Sequence, residues 1–290
     1  MIAIIELRIK YGRMLCFASV CAFIIAWLFA GCVSADPLPT DLVQLRTDES
    51  HEGAVRFLLS TKNVLRATVG VTFTKLDNFL SDKPPPINFV VMKPYNSIEY
   101  LRLTQIDASK PYTYYWKYSY KIGIPSSKPS AKVVYSIPYE GSHRVSQTYF
   151  GEHSHQQGTE SEYAVDFVMP IGTKVRAARD GVVVAFYSDS NKGGSNKEFA
   201  HDANEIFIDH GDGTYSNYVH LKYKGVLVKL GQHVHAGDTI GLSGSTGWST
   251  EPHLHFMVFR VLSAYRIQSL PFQMHTAGGV VDKPELNQSY

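Results

Sequence analysis

Two histidines near the end of the chain, His253 and His255, are separated by one residue in the segment 252–256. If this segment is a strand, both side chains point to the same face and can approach one metal ion or one substrate. A strand that carries two solvated histidines is the plainer interpretation. However, Asp166 and His220 lie in similar short apolar runs. Together these residues favour a site that binds a metal and moves protons.

Zinc suits such a set because it accepts imidazole nitrogen and carboxylate oxygen. A catalytic zinc site keeps three protein ligands and one open position. All three cysteines, Cys16, Cys21 and Cys32, lie in the first 35 residues, which leaves His, Asp and Glu as candidate ligands. Zinc would activate a water near neutral pH without a serine or cysteine nucleophile. Further histidines would then transfer protons or stabilise an oxyanion.

The composition is that of a globular chain of one or two domains, with 290 residues of which 44% are hydrophobic. The formal net charge is only +2, and no run of Lys and Arg is interleaved with aromatic residues. We therefore expect no nucleic-acid partner.

The beginning of the chain predicts a secretory signal at residues 1–35, because basic residues precede an apolar stretch at 14–30. Two exits are compatible with the residues: cleavage after Ala35, or a lipobox-type signal that leaves a lipidated Cys32. Both predict a location outside the cytoplasm, which is periplasmic, outer-membrane-associated or secreted. The second would also anchor the protein to a membrane.

The rest of the chain predicts an all-β protein. Residues 36–132 show period-two alternation between turn residues, typical of a small β-sandwich. The aromatic-rich strand at 112–120 either packs into a sheet or stacks on carbohydrate. Small residues and proline at 126–130 predict a linker. Residues 133–265 predict a second β-sheet-rich domain, and residues 266–290 an extension packed on it.

At this point the second domain resembles a known family, the lysostaphin-type (LytM-like) zinc metallopeptidases, which cut peptide cross-links in bacterial cell walls. The resemblance covers about residues 135–260 and includes Tyr-Ala-Val-Asp-Phe at 163–167, Tyr-Val-His-Leu at 218–221 and Pro-His-Leu-His-Phe at 252–256. It implies that Asp166 and His255 are zinc ligands. It also implies that His220 and His253 act as acid–base or transition-state groups.

The third zinc ligand is assigned less directly. The family's commonest first motif has a histidine four residues before the aspartate, and this chain has Glu162 there. A sub-pattern of the family reads Ser-His, a variable loop, and then Tyr-Ala-x-Asp-Phe. Ser154 and His155 fit it. The resemblance therefore implies His155 as the third ligand, with His153 and Glu162 as alternatives. By the same sub-pattern, Asn204 is expected to line the groove.

The function implied is zinc-dependent endopeptidase activity on the peptide stems of bacterial peptidoglycan, by a monomer. One alternative is a catalytically inactive LytM-like protein that binds the wall or activates an amidase, although such a relative would have lost ligands that this chain retains. A carrier-type β module is the other, but this chain lacks the lysine that such a module requires at a hairpin tip. The bond cut, D-alanine–diaminopimelate or a glycine bridge, stays open. The loop 188–200, rich in Gly, Asn and Ser, is predicted to form a mobile rim.

Overall fold

The computed structural model of the chain describes residues 3–10, 42–126 and 133–290. This described part consists almost wholly of strands, with one short 3₁₀ helix, which confirms the predicted all-β class. Within it, no helix has the length and apolar character needed to cross a membrane. Most of the predicted signal, with Cys32 and Ala35, and most of the predicted linker lie outside the described residues.

The N-terminal part is a sandwich of two four-stranded antiparallel sheets, with strand orders β1-β8-β4-β6 and β2-β3-β7-β5. Its strands are β1 (Ala3–Lys10), β2 (Val43–Asp48), β3 (Ala54–Thr61), β4 (Ala67–Asp77), β5 (Phe79–Ser81), β6 (Ile87–Val91), β7 (Ile98–Gln105) and β8 (Tyr112–Ile122).

The aromatic-rich strand β8 packs into the core of this sandwich. The ring of Trp116 lies edge-on to that of Phe57 on β3, with 4.9 Å between centroids. Tyr114, Tyr118 and Tyr120 are also buried. These rings therefore stabilise the contact between the sheets and are not a surface strip for carbohydrate.

The C-terminal part is built on a large sheet with the order β10-β11-β21-β16-β15-β13-β18, and a three-stranded sheet, β12-β19-β17. Its elements are β9 (Val134–Ser136), β10 (Arg144–Gln147), β11 (Val165–Val168), β12 (Lys174–Arg176), β13 (Gly181–Tyr187), β14 (Gly193–Gly194), the 3₁₀ helix Lys197–His201, β15 (Glu205–Asp209), β16 (Tyr215–Val219), β17 (Leu221–Val226), β18 (His233–Val234), β19 (Thr239–Ser243), β20 (Gly247–Trp248), β21 (His253–Ser263), β22 (Arg266–Ser269), β23 (Gln273–Thr276) and β24 (Gly279–Val281).

Strand β21 places its side chains alternately on the two faces of the large sheet. Leu254 and Phe256 face the core of the C-terminal part, which also holds Ile240 of β19. The alternate positions include His253 and His255, followed along the strand by Phe259. The histidines therefore lie on the face opposite to that core.

The N-terminal sandwich packs on this same face, farther along the strands. Phe259 and Tyr215 of the large sheet belong to one continuous core with the sandwich. Backbone hydrogen bonds join the two parts, since the Leu65 N–H donates to the Val184 carbonyl oxygen at 2.7 Å. The buried Asp209 forms an ion pair with Arg66. The sandwich thus covers the end of the sheet face that is not used by the histidines.

Gly123 packs closely against the C-terminal part at this interface. Its φ is +107°, and a Cβ there would lie 2.8 Å from the Tyr215 ring. Gly123→Ala is expected to lower the free energy of unfolding by about 2–4 kcal/mol, from backbone strain and overpacking together. Gly172→Ala is the matched control, because its φ is +92° but no atom lies within 4 Å; it should lose about 1 kcal/mol. Urea denaturation measures both, and equal losses would contradict the interface argument.

Residues after β21 fold back onto the C-terminal part. Strand β22 pairs with β21, and β23 pairs in parallel with β9. The final residues then run beside β10, where the Asn287 N–H donates to the Val145 carbonyl oxygen at 2.9 Å and the Val145 N–H donates to Gln288 at 2.8 Å. This tail extends the large sheet by one more segment next to the candidate site.

Candidate metal centre

Three side chains bring metal-ligating atoms together at the open face of the large sheet. Asp166 on β11 lies directly opposite His255 on β21 in the strand register. The Asp166 Oδ1 is 2.9 Å from His255 Nδ1 and 3.3 Å from His155 Nε2. The two imidazole nitrogens are 3.3 Å apart. Tetrahedral zinc with bonds of about 2.0–2.1 Å separates its ligand atoms by roughly 3.3 Å, so this donor set fits the ion.

His155 is fully buried, although it comes from a loop. Its Nδ1 is 3.3 Å from the carbonyl oxygen of Thr148, to which it donates. A histidine that donates one ring nitrogen to a carbonyl presents the lone pair of the other. The Nε2 of His155 is therefore turned toward Asp166 and His255.

The two alternatives for this position lie outside the cluster. His153 is exposed, and its backbone N–H donates to Gln147 Oε1 at 3.1 Å. The carboxylate of Glu162 accepts the Gly158 N–H at 2.8 Å within its own loop. Among the described residues, the group that could hold a metal ion is His155, Asp166 and His255.

The remaining two predicted residues, His220 and His253, flank this group. Their rings are 4.5 Å apart between centroids, and His253 Nε2 lies 4.0 Å from Asp166 Oδ1. The Nδ1 of His220 donates to the Thr246 carbonyl oxygen at 2.7 Å, and the Nδ1 of His253 donates to that of Glu251 at 2.8 Å. Both histidines thus keep Nε2 unprotonated in the neutral ring.

Burial determines the charge of these groups. It lowers the pKa of His220 to about 3, helped by the neighbouring His253 and His255. His220 is therefore neutral at physiological pH. Burial by itself would raise the pKa of Asp166, but the neighbouring imidazoles of His155 and His255 outweigh it and hold that pKa well below its usual range. The site accordingly offers an ionised Asp166 carboxylate, which is the form that binds a divalent metal.

An open cavity of about 380 Å³ gives access to the site. Its lining residues are Ser146, Gln147, His153, Ser154, Asp166, Ser195, His220, Trp248, Ser249, Thr250, Glu251, His253 and His255. One rim of the cavity is formed by the loop 188–200, which was predicted to be mobile. In the structure, β14 of this loop pairs with β20. The indole N–H of Trp248 also donates to the Ser195 carbonyl oxygen at 3.0 Å.

The prediction that Asn204 lines the groove is wrong. Its side chain is fully buried, because the amide bonds three backbone groups: it accepts the Ser190 N–H at 2.9 Å and donates to the carbonyl oxygens of Ser190 and Leu221 at 2.8 and 3.2 Å. Asn204 therefore holds the rim loop from below. His210 donates from Nδ1 to the carbonyl oxygen of Asp180 at 2.8 Å.

Gln147 is a site residue that was not predicted, because a single glutamine before a variable loop carries no chemical signal in the sequence. Its Nε2 donates to Asp166 Oδ2 and to Ser154 Oγ, both at 2.9 Å. Its Oε1 accepts the backbone N–H groups of His153 and Ser154, both at 3.1 Å. One buried amide thus orients the carboxylate and fixes the loop that delivers His155.

Gln147→Met, which keeps the length but loses the amide, is expected to weaken metal binding about 10-fold or more, as loss of an outer hydrogen-bond partner does in other metal sites. Metal competition with a chromophoric chelator measures this. Gln268→Met is the control, because the side-chain amide of Gln268 on β22 accepts the Nε–H of Arg260 at 2.9 Å and does not contact the metal ligands. Lower thermal stability with unchanged metal affinity would show that Gln147 is only structural.

Glu205 on β15 is a second polar group outside the predicted set. Burial raises its pKa to about 7, and the hydrogen bond donated by Asn217 offsets this only in part. Because this pKa lies above the ordinary 4.5, the folded chain holds the proton more strongly, and stability falls as pH rises from 4.5 to about 7.

Glu205→Gln mimics the protonated carboxyl. We expect it to raise the free energy of unfolding by about 1–2 kcal/mol at pH 8 and to leave it unchanged at pH 4. Urea denaturation at the two pH values tests this, with the exposed Glu285→Gln as control. The same effect at both pH values would contradict the burial argument.

Imidazole and carboxylate groups at an open cleft are the ligands that catalytic zinc sites use. Comparison with known proteins supports a metal site of this kind. Residues 160–266 match the model of peptidase family M23. The chain belongs to this metallopeptidase family through that domain, which confirms the resemblance predicted from sequence and implies a bound metal.

Curated relatives include glycyl-glycine endopeptidase ALE-1 of Staphylococcus capitis, 46% identical over 98 residues, with 33% of this chain and 24% of that protein covered. Peptidoglycan DD-endopeptidase ShyA of Vibrio cholerae is 44% identical over 91 residues, with 31% and 18% covered. The chain thus spans about a quarter or less of the length of these relatives. Among solved structures, the lysostaphin catalytic domain of Staphylococcus simulans is 30% identical, with 45% of this chain and 88% of that chain covered and a TM-score of 0.30.

Proposed function

We propose that this protein is a zinc-dependent endopeptidase that hydrolyses peptide cross-links of bacterial peptidoglycan. The observation that carries the proposal is the convergence of His155 Nε2, Asp166 Oδ1 and His255 Nδ1 within 2.9–3.3 Å of one another at an open cavity. Relatives that share the domain are named glycyl-glycine endopeptidase and peptidoglycan DD-endopeptidase. These names support a cross-linking peptide as the substrate.

His155, Asp166 and His255 would hold the zinc, with Gln147 orienting the carboxylate. A zinc ion there supplies Lewis-acid polarisation of the scissile carbonyl and lowers the pKa of a water nucleophile. His220 and His253 direct unprotonated Nε2 atoms into the same cavity. One of them accepts the proton that the attacking water loses and later donates it to the leaving amine, so that the imidazole is regenerated.

The cellular location and the oligomeric state of the protein are further parts of the proposal. A peptidoglycan substrate requires a protein outside the cytoplasm, in agreement with the basic and apolar segments at 1–35. Mass spectrometry of the mature protein should find either Asp36 at the N-terminus or a diacylated Cys32. In both cases strand β1 (Ala3–Lys10) is removed with the signal. An intact Met1 on a cytoplasmic protein would contradict this. A monomer is expected, and light scattering measures it.

The hydrolysis test uses the purified full chain loaded with zinc and two substrates, sacculi cross-linked through D-alanine and diaminopimelate, and sacculi cross-linked through glycine bridges. Muropeptide profiling should show loss of cross-linked dimers from the sacculi cross-linked through D-alanine and diaminopimelate. Loss of dimers from the glycine-bridged sacculi is the alternative outcome. A protein that binds zinc and sacculi but releases no peptide from either would instead be an inactive wall-binding or amidase-activating relative.

A further inference from the structure

A second cavity, of about 1030 Å³, lies beside the metal centre. Its walls are the segment 146–153 on one side and residues of the C-terminal tail, from 281 to 290, on the other. We call it the tail cleft. It shares Ser146, Gln147 and His153 with the cavity at the metal centre. The two cavities therefore adjoin each other at these residues.

The wall made by the tail is fixed by hydrogen bonds. In addition to the bonds to Val145, the His143 N–H donates to the Tyr290 carbonyl oxygen at 2.9 Å. The Thr148 hydroxyl donates to the Pro284 carbonyl oxygen at 2.5 Å, and the Glu285 N–H donates to the Tyr290 hydroxyl at 3.1 Å. The tail cleft is thus preformed, and a ligand need not order this wall on binding.

The lining of the tail cleft is mixed in charge. Lys283 is exposed, and its ammonium group lies over the Tyr149 ring, 5.9 Å from the ring centroid. The carboxylates of Glu152 and Glu285 are exposed and form no ion pair with a described residue. Apolar surface comes from Leu286 and Phe150, which are 54% and 47% exposed. A short peptide with free carboxylate and ammonium groups between small apolar residues complements this lining.

We propose that the tail cleft binds one of the two peptide stems of the cross-linked substrate, while the scissile bond lies over the metal centre. This inference rests on the proposed endopeptidase function. An endopeptidase must hold peptide on both sides of the bond it cuts, and the tail cleft adjoins the metal-site cavity at the three shared residues. Lys283 binds a stem carboxylate, Glu152 or Glu285 binds an ammonium group, and Leu286 contacts an alanine methyl group.

The test measures binding and does not depend on turnover. Isothermal titration calorimetry of the full chain uses an uncross-linked stem tetrapeptide that ends in diaminopimelate and D-alanine. Lys283→Glu should raise the Kd by about 5-fold, as expected for reversal of one exposed charge contact. Leu286→Asp should weaken binding similarly. The matched controls Lys229→Glu and Leu227→Asp, the latter at a leucine that is also 54% exposed, should leave the Kd unchanged.

A tetrapeptide that does not bind the wild-type protein, or that binds both tail-cleft variants as tightly as the wild type, overturns the tail-cleft assignment. This result stands whether or not sacculi are hydrolysed, so it is distinguishable from failure of the proposed function. With an active enzyme, the same variants should raise KM for muropeptide dimers by about 5-fold and leave kcat/KM for a short end-blocked peptide unchanged. Equal losses on both substrates would also overturn the assignment.

Discussion

Replacement of Asp166 by alanine is expected to release the metal and to reduce turnover by about 10³-fold or more, because the metal supplies several kcal/mol of transition-state stabilisation. His155→Ala and His255→Ala each remove another of the three protein ligands and should behave alike. Metal content by mass spectrometry and hydrolysis of cross-linked muropeptides measure the two effects. Asp238→Ala, at an aspartate whose side chain is 51% exposed, should change neither.

The assignment of His155 receives the sharpest test within this series, because the alternatives lie close in sequence. His153→Ala and Glu162→Ala should retain full metal content, since one side chain is exposed and the other is bonded within its loop. Loss of metal in either variant, together with full metal content in His155→Ala, would transfer the third ligand to that residue.

Replacement of His253 or His220 should separate metal binding from catalysis. His253→Ala is expected to keep the metal and to lower turnover by about 10²-fold or more, through lost proton transfer. His220 has a φ of +66°, so His220→Asn is the better substitution, because asparagine tolerates the left-handed conformation. It should show a loss of similar size, with metal retained.

The control for both is His235→Ala, at a side chain that is 81% exposed. Metal content, turnover and thermal stability are measured for each variant. Normal turnover in His253→Ala would contradict the proposed mechanism. A fall in turnover that only parallels loss of metal would instead make these histidines part of the metal-binding group.

The class of the fold and most of the site's chemistry are predictable from the residues and their spacing alone. Period-two alternation predicted strands, and on a strand the spacing of His253 and His255 places both on one face whatever the partner strand is. The residues of the family motif identified Asp166 and His220. This local information is reliable because side-chain direction along a strand depends on the backbone of that strand alone.

Which of these groups meet depends on contacts between distant parts of the chain. Asp166 and His255 are 89 residues apart in sequence, and their pairing depends on a strand register set by packing over the whole sheet. The same holds for His155, whose place follows from the Thr148 carbonyl and the Gln147 amide and not from the length of its loop. Asn204 is the opposite case. Its motif position was expected at the groove, but its side-chain amide is hydrogen-bonded to buried backbone groups instead.

The arrangement around the site was likewise outside the reach of sequence. Alternation predicts a sandwich but not the surface on which it packs, and that surface proved to be the histidine-bearing face, with Phe259 and Tyr215 in the shared core. The tail from 281 to 290 has no periodic pattern, yet it forms the wall of a cleft by bonding to the edge of β10. Such contacts between distant segments depend on matched shapes and free backbone groups, and neither property is encoded in local residue spacing.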